Sequence, residues 1–409
     1  MSGSLPHDVL IDVLTRLPIK TLIRCACVCK SWYSLVTNPS FITTHLNVSS
    51  NNSNDLVLIR SVYGDDANQV NYSLLRCENE VLCDYAKLEL PLKTDNNHYL
   101  RIMGSCNGLV CLSHDYVLYL WNPSIRKTIA LPPLRVNFQS HGAFVHTIGI
   151  GYNAQTDDYK VIRIVYLHKT NNFQPPAEID IFSLSTGTWR NISHLGPPHI
   201  INQWALPVYL NGAAHWISYG KRGENFFRLI VSFHMVDEIF GEIMLPGSIS
   251  GSNHSGLSVL VAKFQESLSL IDCHWRNDTW CIWVMKEYGI SDSWTQLFNI
   301  HASVGLRSVV GFTKKGEVVL RFYSSTERKG EVLLSLYSNT ERKMYLSISG
   351  TTFYADAYTE SLVLFGTKFG NTGTCTDSPI LDGEGNGARK SLKRRANSAH
   401  SFMPKHLES

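Results

Sequence analysis

Three cysteines at alternate positions, Cys25, Cys27 and Cys29, form the densest group of metal-binding side chains in the sequence. Thiolates hold zinc when a second Cys or His pair follows at a fixed spacing. No such pair follows here, and alternate spacing spreads three thiols around a helix instead of gathering them. The cysteines are therefore expected to be small packing residues, with no metal and no other cofactor. Two further groupings have the types needed for acid–base work: His215 beside Trp216, and the run Asp272, Cys273, His274. Both fall in strand-like segments, where a hydrogen-bonded structural histidine is the expected outcome. The sequence has no Gly-rich phosphate loop, no HExxH and no GxSxG, so no catalytic residue is nominated. Asn-X-Ser/Thr sequons at Asn47, Asn51, Asn71, Asn191, Asn253 and Asn277 are expected to stay unmodified, because the compartment is expected to be cytosolic or nuclear.

The compartment expectation rests on what the sequence lacks. Residues 1–17 are interrupted by Pro6, His7, Asp8, Asp12 and Arg16, which breaks any secretory apolar segment. Nothing approaches the roughly 20 apolar residues of a membrane-spanning helix. With 409 residues, 44% hydrophobic and 17% charged, the chain has material for a large core and a second, smaller unit. The formal charge is +3, but six basic residues against one acid in 387–409 leave the remainder at −2. A body of that charge is not expected to bind nucleic acid.

The N-terminal segment has helical periodicity. Leu5, Val9, Leu10, Val13, Leu14 and Leu17 recur at spacings of one, three and four, which marks one face of a helix, with Pro6 in its first turn and Pro18 ending it. A second short helix is expected through Leu22, Ile23, Ala26 and Cys27. A third carries Trp32, Leu35 and Val36 and stops before Pro39. Three helices of this size cannot enclose the apolar residues they carry, so a partner helix is the physical expectation.

The stretch LPHDVLIDVLTRLPIKTLIRCACVCKSW, from Leu5 to Trp32, resembles the F-box in its flowering-plant form, LPxDVLxxILxRLPxKSLxRxxxVCKxW. Thr21 and Val13 are mild departures from the usual Ser and Ile. The resemblance implies docking to a Skp-type adaptor, and through it to a cullin and a RING protein. It places Leu5, Pro6, Val9, Leu10, Leu14, Leu17 and Pro18 on the first adaptor-binding stretch. It places Leu22, Arg24, Val28, Lys30 and Trp32 on the second. Leu5, Pro6 and Pro18 are expected at the interface; Val13, Ile23 and Ala26 are expected to hold the bundle together.

Beyond a polar run at 49–55, expected to be a solvated connection, the pattern changes to short alternating strands. An aromatic strand, a polar turn and a second strand recur, with Trp121, Phe182, Phe233, Trp283 and Tyr337 before successive turns at separations of 61, 51, 50 and 54 residues. That period suits kelch-type blades, and two hairpins per repeat make a four-stranded blade. Five clear repeats and a degenerate one near 71–90 predict about six blades. Strand 361–365 is the candidate for closing the ring, and an open stack of sheets is the alternative. Trp121, Trp189, Trp216 and Trp294 are expected in blade cores, and Gly151, Gly212 and Gly316 in turns.

Residues 56–365 resemble the plant F-box-associated domain of type one. The resemblance lies in GSCNGLVCL at 104–112, WNPS at 121–124, GIGY at 149–152 with DDYKV at 157–161, NGAAHW at 211–216, and Trp294 in SWTQ. The expected fold class is α+β multidomain: an F-box at 1–46, a linker at 47–55, an all-β propeller at 56–370 and a flexible basic tail at 371–409. Within the tail, the Lys393–Arg395 run is expected to be a solvated charge run. The expected function is substrate recognition in a Skp–cullin–F-box ubiquitin ligase, without catalysis, delivering a protein substrate for ubiquitination and degradation. A ligand-binding or enzymatic propeller is the competing expectation. Substrate contacts are expected from four irregular segments, 137–146, 168–176, 196–203 and 219–225.

Overall fold

The computed structural model describes residues 6–51, 55–63, 69–78, 81–89, 100–114, 117–134, 136, 141–142, 144–167, 178–202, 206–222, 225–250, 259–274, 279–301, 306–323, 331–337, 344–349 and 352–367. Four helices come first: α1 (His7–Thr15), α2 (Ile19–Ala26), α3 (Lys30–Val36) and α4 (Pro39–Asn51). Pro6 and Pro18 stand immediately before α1 and α2, where a missing N–H costs nothing. The fourth helix extends through Ser49–Asn51, into the segment expected to be a solvated connection, and Asp55 beyond it is buried. Its start was legible: the Asn38 side chain accepts the Ser40 N–H at 2.9 Å, and Pro39 occupies the first turn. Its apolar positions also repeat in helical fashion, with Phe41, His45 and Leu46 buried. His45 Nε2–H donates to the Leu17 carbonyl at 3.0 Å, tying α4 to the end of α1.

Among the described residues, six antiparallel sheets follow. Blade one holds β1 (Leu56–Tyr63), β2 (Gln69–Glu78) and β3 (Val81–Leu88). Blade two holds β4 (Arg101–Cys106), β5 (Leu109–His114), β6 (Val117–Asn122) and β7 (Lys127–Ala130). Blade three holds β8 (Phe144–Asn153), β9 (Asp158–Leu167), β10 (Glu178–Ser183) and β11 (Thr188–Asn191). Blade four has a broken first strand, β12 (Ile200–Ile201) and β13 (Val208–Leu210), then β14 (Ala213–Arg222), β15 (Asn225–His234) and β16 (Phe240–Met244). After a helical turn at Gly247–Ser250, blade five holds β17 (Val259–Phe264), β18 (Ser267–His274), β19 (Thr279–Met285) and β20 (Trp294–His301). Blade six holds β21 (Leu306–Phe312), β22 (Val318–Tyr323), β23 (Glu331–Tyr337) and β24 (Met344–Ser349). The repeat-marking aromatics Trp121, Phe182, Phe233, Trp283 and Tyr337 all lie on the third strand of a blade.

The ring closes through β25 (Thr352–Tyr358), which pairs with β1 from Leu56↔Tyr358 to Val62↔Thr352. The closing strand is thus β25, not 361–365. That later segment turns under the ring, where its apolar residues serve the helices: Leu362 is buried among Leu14, Leu22, Val36 and Phe41. An open stack is excluded, because each neighbouring pair of blades shares an apolar cluster. Blades six and one share Val319 with Val57, Ile59 and Leu75.

Tryptophans staple successive blades. Indole N–H groups donate to a backbone carbonyl of the preceding blade or its outgoing chain: Trp189 to Pro132 at 2.9 Å, Trp216 to Ile148 at 3.1 Å, Trp294 to Met244 at 3.0 Å. Trp121 packs edge-on against Tyr72, with ring centroids 5.5 Å apart. The aromatic core expected from the sequence is therefore present, although Trp189 is only half-buried. Gly212 and Gly316 sit in turns at φ +76° and +87°, whereas Gly151 lies within β8. There a Cβ would come within 2.7 Å of Met235 and Tyr209, so close approach of the next blade requires this glycine.

Strand alternation gives the ring two rims. First-to-second and third-to-fourth turns emerge on the side that carries the helices. Second strands end, and third strands begin, at the opposite, distal rim.

Candidate interaction surfaces

The helical unit is seated on its rim by contacts from several blades. Asn122 of the WNPS motif donates to the carbonyls of Ser361 (2.9 Å) and Val363 (2.7 Å) and accepts from Ser124 N–H, which fixes the segment under the helices. Ile125 joins the helical core, and Tyr33 packs on Phe365 with centroids 6.1 Å apart. Thr43 meets Asp157 at 3.4 Å, and Lys314 of blade six binds the Ser50 carbonyl.

This seating leaves one part of the helical unit uncovered. Pro6, Val9, Pro18, Arg24, Val28 and Lys30 are exposed, while Leu10, Leu17 and Trp32 are half-buried. Leu5 lies outside the described residues. Two of the proposed contact residues are corrected: Leu14 and Leu22 are 2% and 0% exposed, packed with Val36, Phe41 and Leu362. They hold the helices together and support the surface from below. The reverse holds for Val13, expected inside but 48% exposed, because it shares a ridge with Val9 four residues earlier and not with the buried Leu10–Leu14 ridge. Ile23 and Ala26 do pack within the bundle. Val9, Val13, Val28 and Tyr33 are 45%, 48%, 70% and 48% exposed, a density of uncovered apolar side chains higher than that of the propeller among the described residues.

Of the four irregular segments expected to touch substrate, the described parts are not all loops. Residues 137–140 and 168–176 lie outside the described residues, while His146 belongs to β8. Ile200–Ile201 form β12, paired with Tyr219 and Ser218. Tyr219–Arg222 continue β14 into a long hairpin with β15, so 219–225 is mostly strand; Gly220 and the charged Lys221 and Arg222 masked the alternation.

Among the residues considered for chemistry, His215 is engaged structurally. His215 is fully buried, with Nδ1 3.1 Å from the Val208 carbonyl and Nε2 2.7 Å from the Tyr288 hydroxyl. A neutral ring with Nδ1–H donating and Nε2 accepting satisfies both, and burial lowers its pKa to about 4. Asp272 and Cys273 are buried on opposite faces of β18. Cys25 is half-buried, and Cys27 and Cys29 are exposed.

A potential metal-ligand group, missed in the sequence because its members are far apart, comprises Asp55, Cys77 and Glu317, with ligand atoms within 4.8 Å of one another. Its hydrogen bonding is partly internal, and Asp55 Oδ2, 3.9 Å from Lys315 Nζ, has no hydrogen-bond partner. The Cys77 thiol and Thr313 hydroxyl donate to Glu317 at 3.2 and 2.9 Å, and Asp55 accepts the Lys314 N–H at 3.0 Å. Burial, reinforced by Glu317, pushes the Cys77 thiol up to about 12, so it keeps the proton it donates. The group clamps blade six to blade one.

Among the described residues, no helix is long and apolar enough to cross a membrane. Comparison with known families matches residues 3–44 to the F-box domain and residues 83–363 to the F-box associated beta propeller domain. The chain is 28% identical to the F-box protein CPR1 of Arabidopsis thaliana over 323 residues, covering 75% of each protein. It is 29% identical to the F-box/kelch-repeat protein At3g23880 of the same plant, covering 73% of this chain and 79% of that one. Among solved structures, the hypothetical selenium-binding protein ST0059 of Sulfolobus tokodaii aligns over 78% of each chain, with TM-score 0.36 and 11% identity, too slight a likeness to transfer anything. With both halves matched in order, the chain belongs to the F-box proteins that carry an F-box associated β-propeller.

Proposed function

We propose that this protein is the substrate-recognition subunit of a Skp–cullin–F-box ubiquitin ligase. The observation that carries the reading is the uncovered apolar part of the helical unit, with Pro6, Val9, Pro18 and Val28 exposed although a propeller stands directly beneath. A Skp-type adaptor laid on those residues would complete a unit too small to bury them. The propeller, rigid and closed, would then present its distal rim to a protein substrate. The chain supplies proximity in place of chemistry: substrate lysines are held near a charged conjugating enzyme, which raises their effective concentration. Ubiquitination followed by proteasomal degradation, in the cytosol or nucleus, is the outcome this reading assigns.

The test is adaptor affinity of the full chain measured by calorimetry. The double variant Val9→Lys, Val28→Lys puts charge on exposed positions and leaves the buried core alone. It is expected to weaken binding at least tenfold, about 1.4 kcal/mol or more, with an unchanged unfolding midpoint. Undiminished binding by that variant contradicts the docking assignment.

A further inference from the structure

We propose that the crevice between blades two and three takes an arginine side chain of the protein substrate; the substrate part of this statement rests on the receptor reading above. The crevice encloses about 240 Å³ and is walled by Pro132, Pro133, Trp189, Asp180 and Asn191. Asp180 is 3% exposed. Its Oδ1 accepts from Asn191 Nδ2 at 3.2 Å, and its Oδ2 has no hydrogen-bond partner in the protein. A buried carboxylate oxygen without a donor is rare in folded proteins and calls for a ligand or a water.

The cation paired with Asp180 across the sheet does not fill this role. Arg163 stands opposite Asp180 across β9 and β10, but its guanidinium is aimed at the Val136 carbonyl (3.3 Å) and at His146 Nδ1 (3.4 Å). A second carboxylate oxygen without a hydrogen-bond partner, Glu178 Oε2, lies two residues from Asp180 toward the distal rim on the same side of β10. The crevice thus sets one buried carboxylate, Asp180, among the flat faces of Pro132, Pro133 and Trp189.

That combination selects a guanidinium over other groups. A planar cation can lie on the indole of Trp189 and between prolines while its fork of N–H donors is directed at the buried carboxylate of Asp180. An ammonium is compact and strongly hydrated, and would leave the flat walls uncovered. The walls are preset: Trp189 Nε1 donates to the Pro132 carbonyl at 2.9 Å, and Arg163 holds Val136 a few residues on. A preset site loses little freedom when a side chain enters.

The test titrates the ¹⁵N-labelled full chain with N-acetyl-arginine methylamide and follows the Trp189 indole N–H resonance, assigned with Trp189→Phe. The expected result is a saturable shift that the neutral citrulline analogue does not produce, with the lysine analogue at least tenfold weaker. Asp180→Asn is expected to weaken the arginine response at least tenfold. The citrulline comparison needs no variant, so it stands even where Asp180→Asn fails to fold. Equal responses to arginine and citrulline, an equal response to lysine, or a soaked crystal showing only a water on Asp180 Oδ2 would each overturn the assignment. Adaptor binding measured on the same preparation separates the two readings. An arginine response without adaptor binding leaves the crevice and ends the ligase role, whereas the reverse ends the crevice alone.

Discussion

The helical unit and the propeller solve the burial problem in opposite ways. The propeller is complete in itself: β25 returns to pair with β1, neighbouring blades share apolar clusters, and tryptophan indoles bind carbonyls of the blade before. The helical unit is incomplete. It borrows Leu362 from the far end of the chain to finish its core, and it still leaves Val28 at 70% exposure. A self-sufficient body beside an unfinished one suits a rigid reader attached to a docking hook.

The largest expected effect breaks the self-sufficient half. Trp216→Ala empties a fully buried site whose indole bridges blades three and four, and should cost about 3–5 kcal/mol in denaturant unfolding. A loss under about 1 kcal/mol would mean that the blades do not depend on one another. The second effect is acid sensitivity centred on His215. Its pKa is lower in the folded chain, about 4, than in the unfolded chain, near 6.5. Between those values the unfolded chain binds more protons, so stability falls as pH drops through the window, by about 3 kcal/mol for this site. His215→Asn should flatten the pH dependence of the melting temperature between 6.5 and 4, at a lower baseline. An unchanged slope would remove this histidine from the account. The smallest effect belongs to the surface of the helical unit. Arg16→Ala deletes an exposed ion pair with Asp12, 2.8 Å long, and should leave the melting temperature where it was. A clear drop would show that the helices lean on surface charge more than on Leu14, Leu22 and Leu362.

The repeat was legible because blade geometry imposes a period, and Trp121, Phe182, Phe233, Trp283 and Tyr337 fall on equivalent third strands. The closing strand was not. The apolar run at 361–365 drew the assignment, and only pairing with β1 identifies Thr352–Tyr358 as the closing strand. Helix α4 was missed although Asn38 and Pro39 form a start signal, because the polar residues after Val48 obscured its continuation. In the helical unit, residue types marked the helices but not which side chains face outward. Leu14 and Leu22 match the family pattern because they hold the bundle, and Val13 faces outward because it rides the Val9 ridge. The Asp180 crevice left no local trace, since its walls come from different blades.

Hydrogen exchange of the full chain, free and with a Skp-type adaptor, tests most directly whether the helical unit is the hook. New protection is expected within residues 6–32, strongest where Val9, Pro18 and Val28 lie, with exchange at the distal rim unchanged. Protection confined to the propeller, or no protection at saturating adaptor, would contradict the account.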